Sequence, residues 1–271
     1  MILYKDFVRM MIIVLAIFQI AAGSAVVANE KPNVIYILLD DAGMGDFSCY
    51  GQQKFQTPNI DRLAEEGMKF SDHYSGSTVC APSRCSLMTG LHTGHAFVRG
   101  NKEHRPIGQV PLPASSITIP KLLKEAGYVT GAYGKWGLGY PGSEGDPINQ
   151  GFDEFYGYNC QRNAHTYYPT RLYHNEKKIK LDGKTYAHDL IMEKALEFIK
   201  RNKDEAFFCF IPTLIPHAAM HVPEEYHNPW REKLPQFEEK FGKYAGPEVQ
   251  NPVAAFGGMM DKIDEDVGRV L

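Results

Sequence analysis

The sequence has 271 residues, of which 44% are apolar and 23% charged, with a formal net charge of -3. That length suits one large α/β domain, or a domain plus part of another, and the apolar content excludes global disorder. Nearly balanced charge without a basic cluster excludes a nucleic-acid footprint. The 25 glycines and 17 prolines are scattered, which favours a loop-rich enzyme fold over a helical bundle.

Lys5 and Arg9 give a positive start, residues 10–22 form an apolar run of 13, and the small residues GSAVVA follow. This order predicts a secretory signal peptide over residues 1–28, cleaved after Ala25 or Ala28. The run falls short of the ~20 residues that a membrane span needs. The mature domain is then 29–271, exported to the periplasm or outside the cell. Export would place Cys49, Cys80, Cys85, Cys160 and Cys209 in an oxidising compartment. They form neither a C-x-x-C pair nor a zinc spacing, and an odd count leaves at least one unpaired or chemically altered.

Residues 33–39, NVIYILL, read as a strand buried on both faces and end at Asp40-Asp41. TPNIDRLAEEG follows, with apolar residues at helical spacing and Gly67 as a stop. Residues 68–74 read as a short strand. CAPSRCSLMTG begins irregularly at Cys80 and turns helical. Residues 119–126 predict a second amphipathic helix, and 128–133 a strand running into GKWGLG. Residues 141–180, rich in Gly, Asn and Tyr, predict loops and a small hairpin.

A helix is expected over 189–202 with one apolar face, and FFCFI at 207–211 is a further buried strand followed by Pro216-His217. Residues 224–250 read as charged and irregular, and 254–271 as an amphipathic helix that runs to the last residue. Alternating strands and helices predict a mostly parallel sheet sandwiched by helices. Asp40-Asp41, Lys135 and His217 each follow a predicted strand, where such sheets gather their ligands. The Cys80 segment lies between a strand and a helix. One active site is expected from these four elements.

C-A-P-S-R followed by L-M-T-G resembles the C-x-P-S-R…T-G core of the type I sulfatases, relatives of alkaline phosphatase. NVIYILLDD, SCYG, TPNIDRLAEEG, GKWGLG, GFDEFYG, PH and the D-x-x-VG-x-VL helix recur in that family's order, so the resemblance spans 31–271. It implies an arylsulfatase-like hydrolase of aryl or carbohydrate sulfate monoesters. Cys80 would be oxidised to formylglycine by a formylglycine-generating or anaerobic maturating enzyme. The hydrated aldehyde has two hydroxyls: one attacks sulfur, and the other drives sulfate release. Asp40, Asp41 and residue 80 would hold a divalent cation, Ca²⁺ before Mg²⁺, because carboxylates suit hard ions. Arg84, one helical turn from Cys80, would stabilise the nucleophile. Lys135 would contact the sulfate, and His217 would hold it and protonate the leaving oxygen.

Two departures stand out. Many members read GKWHLG where this chain has Gly137, so a base must come from elsewhere, and His165 is a candidate for base and substrate contact. The family's later metal ligands would fall beyond Leu271, and Asp261, Asp264 and Asp266 do not match them. The domain therefore reads as incomplete, and the chain alone as weakly active or inactive. Tyr158, Arg162, His165, Tyr167 and Tyr168 could wall a substrate. Two alternatives stay open: a phosphoester hydrolase of the same superfamily, or a non-catalytic module that binds sulfated glycans.

Overall fold

The computed structural model describes residues 31–271. The expected signal peptide at 1–28 lies outside the described residues. The body that contains the predicted strands runs from Asn33 to Leu271.

A six-stranded sheet forms its centre. The strands are β1 (Val34–Leu38), β2 (Val129–Lys135), β3 (Glu154–Tyr158), β4 (Arg171–His174), β5 (Lys177–Lys180) and β6 (Phe207–Pro212). Their order is β1-β6-β2-β3-β4-β5. The first three pairings across that order are parallel, and the β3-β4 and β4-β5 pairings are antiparallel. The mostly parallel α/β sheet expected from the sequence is therefore present.

The unbroken apolar strands are explained by burial on both faces. On β6, Phe207, Cys209 and Ile211 point into one core, while Phe208 and Phe210 point into the other. Helix α4 (Ala187–Asn202) covers the first face with Ile191, Ala195 and Phe198, and helix α6 (Pro252–Val270) adds Ala255, Met259 and Ile263. Helix α2 (Cys80–Thr89) supplies Ala81, Cys85 and Met88 to the second face, alongside Trp136, Leu138 and Phe152. Helix α1 (Pro58–Glu66) is held from outside: Asp264 of α6 accepts from Asn59 N at 3.1 Å and from Ile60 N at 2.9 Å. Those amides belong to the first turn, which no side chain of α1 caps.

Three local expectations change. Residues 68–74 form no strand: Met68, Phe70 and Tyr74 are exposed, and no neighbouring strand reaches them. Residues 154–158, taken for loop, are the parallel strand β3, because Phe155 and Tyr156 bury on opposite faces. Within 224–250 lies helix α5 (Glu224–Lys233), formed despite an internal Pro229 and anchored by buried Trp230. A two-stranded ribbon follows, β7 (Phe241–Gly242) with β8 (Val249–Gln250). The predicted hairpin is β4-β5, and helix α3 (Ile119–Glu125) forms as expected.

Candidate active site

The candidate residues meet at the carboxyl edge of the parallel strands. Asp40 follows β1, Lys135 ends β2, and His217 lies just beyond β6. The loops are tied together there, since Thr213 N donates to Leu38 O at 2.8 Å and Asp40 N to Ile215 O at 3.3 Å. Cys80 opens α2, with Pro82 in the first turn and Ala81 N donating to Asn101 Oδ1 at 2.8 Å. The positive end of the α2 dipole therefore faces the site and favours an anion.

Asp40 is the hub. Lys135 Nζ donates to its Oδ2 at 2.6 Å, and Arg84 Nη2 lies 3.6 Å from its Oδ1. The Cys80 thiol reaches the same carboxylate at 3.9 Å and accepts from Lys135 Nζ at 3.4 Å. Arg84 also donates through Nη1 to the Lys135 carbonyl. Asp40, Arg84 and Lys135 are all buried. Burial pushes the Asp40 carboxyl up, but Arg84, Lys135 and His217 together outweigh it and hold the group below its usual value.

Asp41 behaves differently. Its φ of 68° lies in the left-handed region, which an L residue adopts at a cost, and this turns the chain sharply after Asp40. Its side chain is 61% exposed, and its Oδ2 lies 3.5 Å from His217 Nε2. The two neighbouring carboxylates therefore face different partners.

His217 stacks on His165 with ring centroids 4.3 Å apart and planes 10° from parallel. Burial lowers the His217 pKa. Asp40 and Asp41 pull it up, Lys135 and Arg84 push it down, and it stays below the ordinary value. His165 is pushed down to about 4 by burial, then by Lys135 and His217. Both shifts favour the uncharged imidazole. Tyr167 O–H holds the His217 segment by donating to Leu214 O at 2.9 Å and His217 O at 3.1 Å.

The Sulfatase family profile matches residues 32–271. The chain belongs to the sulfatase family. It is 33% identical over 266 residues to N-acetylgalactosamine-6-sulfatase of Homo sapiens, covering 90% of this chain and 47% of that protein. It is 40% identical over 136 residues to Arylsulfatase D of Homo sapiens, covering 47% of this chain and 23% of that one. Among solved structures, Ps i-CgsB superposes with a TM-score of 0.72 at 30% identity, covering 89% of this chain and 54% of that chain. BT4656 in complex with its substrate D-glucosamine-2-N,6-O-disulfate gives a TM-score of 0.65 at 30% identity, covering 76% and 38%. This sulfatase chain thus spans about half the length of the N-acetylgalactosamine-6-sulfatases it matches.

The space beside Gly137 of this sulfatase chain is filled. Gly137 has φ +81°, and a Cβ there would overlap Gln161 Nε2. Gln161 and the nearby Asn159 are buried, yet their side-chain amides find no partner among the described residues. Nothing in the spacing of QRNAH pointed to Gln161. Tyr244 was also missed, lying in a segment that reads only as charged loop; its ring centroid is 5.1 Å from His165 and 5.2 Å from His217.

The proposed aromatic wall needs correction. Tyr158 and Tyr167 are buried, with hydroxyls spent on Thr166 O and on Leu214 and His217 carbonyls. Arg162 faces outward to Glu103 at 3.5 Å. Asp261, Asp264 and Asp266 serve the scaffold, accepting from Trp230, from Asn59 and Ile60, and from Lys262. The five cysteines are all free thiols.

Only the two carboxylates, Asp40 and Asp41, suit a hard cation in chemistry; the Cys80 sulfur and the His217 nitrogen are softer donors. Asp40, Cys80 and His217 each bring one ligand atom to within 4.8 Å of the others, and Asp41 adds a second carboxylate beside His217. Asp40 is already shared by two cationic side chains, so an ion would compete with Lys135 and Arg84 for its oxygens.

Proposed function

We propose that the protein hydrolyses sulfate monoesters, using residue 80 as formylglycine and a divalent cation, with Ca²⁺ favoured. The observation that carries this reading is the meeting of Cys80, Lys135 and Arg84 on the single buried carboxylate of Asp40. A sulfate ester is anionic and repels a nucleophile, so a site for it must supply positive charge and fix the line of attack. Lys135, Arg84 and the first turn of α2 supply that charge around residue 80. Formylglycine at position 80 would contribute a hydrated aldehyde whose hydroxyl attacks sulfur. Asp40 and Asp41 would hold the cation, which would neutralise sulfate charge.

His217 would bind the sulfate and protonate the leaving oxygen. Negative charge from a bound ester counters the push of Lys135 and Arg84 on the ring and favours its protonated form. His165, stacked against it, would accept a proton when sulfate leaves. Two carboxylates fall short of the roughly six to eight oxygens that Ca²⁺ prefers. On that donor set we expect weak cation binding and slow turnover by the 271-residue chain. The leader-like N-terminus supports export, and no helix among the described residues is long and apolar enough to cross a membrane.

The test is co-expression with a formylglycine-generating enzyme, followed by peptide mass spectrometry and assays with 4-nitrophenyl sulfate and 4-nitrophenyl phosphate. Conversion of Cys80 with a preference for the sulfate supports the reading. An unmodified thiol sinks the formylglycine role, and preference for the phosphate favours the phosphoester alternative.

A further inference from the structure

We propose that Tyr244 is a platform for the ring of the alcohol half of the ester, which makes it a specificity-determining residue. This deepens the sulfate-ester reading and rests on it. The positive groups Lys135 and Arg84 are buried at the floor of the site, against Asp40. The sulfate end of a substrate must point there. If His217 protonates the leaving oxygen, the carbon bearing that oxygen lies on the outer side of the imidazole. Tyr244 stands on that border.

Its ring is turned 77° to His165 and 72° to His217, nearly equidistant from the two. It therefore lies alongside the stacked imidazoles and touches both. The rest of the residue is open, with 58% of its surface exposed. Its hydroxyl makes no hydrogen bond among the described residues. An exposed tyrosine is common and by itself means little. Here the ring is fixed by two histidines of the site and keeps an open remainder, so it offers a flat apolar surface with a free hydroxyl. Tyrosine gives such contact area at small entropic cost, because only two side-chain torsions need ordering. The ligand chemistry this suits is a ring: the face of a sugar or an aryl group.

The experiment compares three ligands by isothermal titration in calcium-containing buffer: inorganic sulfate, phenyl sulfate and galactose 6-sulfate. Wild-type chain is compared with Tyr244→Ala and Tyr244→Phe. Because the residue is exposed, neither change should disturb folding. We expect Tyr244→Ala to weaken one or both ring-bearing esters roughly three- to tenfold, the range of an aromatic contact. Inorganic sulfate should bind unchanged, and Tyr244→Phe should stay near wild type. Loss for galactose 6-sulfate alone would assign the platform to sugars, and loss for phenyl sulfate alone to aryl groups. Unchanged affinity for both esters overturns the proposal. So does equal weakening of all three ligands, which would make Tyr244 a support for the histidines only. A wild-type chain that binds inorganic sulfate and the esters equally well overturns the platform while leaving the sulfate-ester reading standing. Wild type that binds none of the three overturns both.

Discussion

Lys135 Nζ sits 2.6 Å from Asp40 Oδ2 with both side chains buried, while Arg84 approaches the other oxygen at 3.6 Å. One carboxylate thus balances two cations away from water. The arrangement is asymmetric, and so is the expected response to mutation. Lys135→Met leaves Asp40 with Arg84 and should cost about 1–3 kcal/mol. Asp40→Asn strands two buried cations and should cost more, roughly 3–5 kcal/mol. The double variant should lose less than the sum of the two. Urea unfolding of the three variants measures this, and equal losses for the two single changes would contradict the hub role of Asp40.

Gly137→Ala should be destabilising for two separable reasons. The left-handed backbone costs an L residue roughly 1–2 kcal/mol, and the new Cβ overlaps Gln161 Nε2. Adding Gln161→Ala opens the space but leaves the backbone cost. Denaturant midpoints should therefore show partial recovery in the double variant. Full recovery would mean that the backbone conformation matters little.

Asp266 gives the pH dependence. Burial raises its carboxyl pKa, but hydrogen bonding and charge from His188 and Lys262 overcome this and hold it near about 2. A carboxyl depressed in the folded state contributes stability above its unfolded pKa of about 3.9. That contribution is lost as pH falls from about 4 towards 2, and amounts to roughly 2 kcal/mol. Thermal melts across this range should show the loss in wild type, and a flatter profile in Asp266→Asn.

Gly257→Ala sets helix propensity against packing. In a helix interior alanine is favoured by about 1 kcal/mol. At this position, however, a Cβ comes 2.7 Å from Trp230 Cδ2. Trp230 is buried and donates to Asp261 at 2.6 Å, so it cannot retreat freely. Packing should win, with a net loss of about 1–2 kcal/mol, within the range for an overpacked core. A raised melting temperature would show that Trp230 repacks without cost.

The fold was legible where local pattern and burial agree. β1 and β6 are continuous apolar runs because both of their faces are covered, and the amphipathic α4 and α6 each present one stripe to the sheet. Residues 68–74 show the limit. Their pattern suits a strand, but a strand needs a partner, and partner geometry is not written in seven residues. β3 failed in the other direction, since its glycine and tyrosines resemble loop composition until Phe155 and Tyr156 are seen packing on opposite faces. At the site, the order of motifs located Asp40, Cys80, Arg84, Lys135 and His217, each next to a strand or helix end. Gln161 and Tyr244 come from loops, where position is set by tertiary packing and leaves no periodic trace.

The filled space at Gly137 has a consequence for how this chain can vary. Any side chain at 137 needs room that Gln161 holds. A histidine at 137 would have to displace the Gln161 amide or follow a smaller residue at 161. A chain that is small at both positions would carry a void beside the Lys135 loop. Positions 137 and 161 are therefore expected to change together across related sequences.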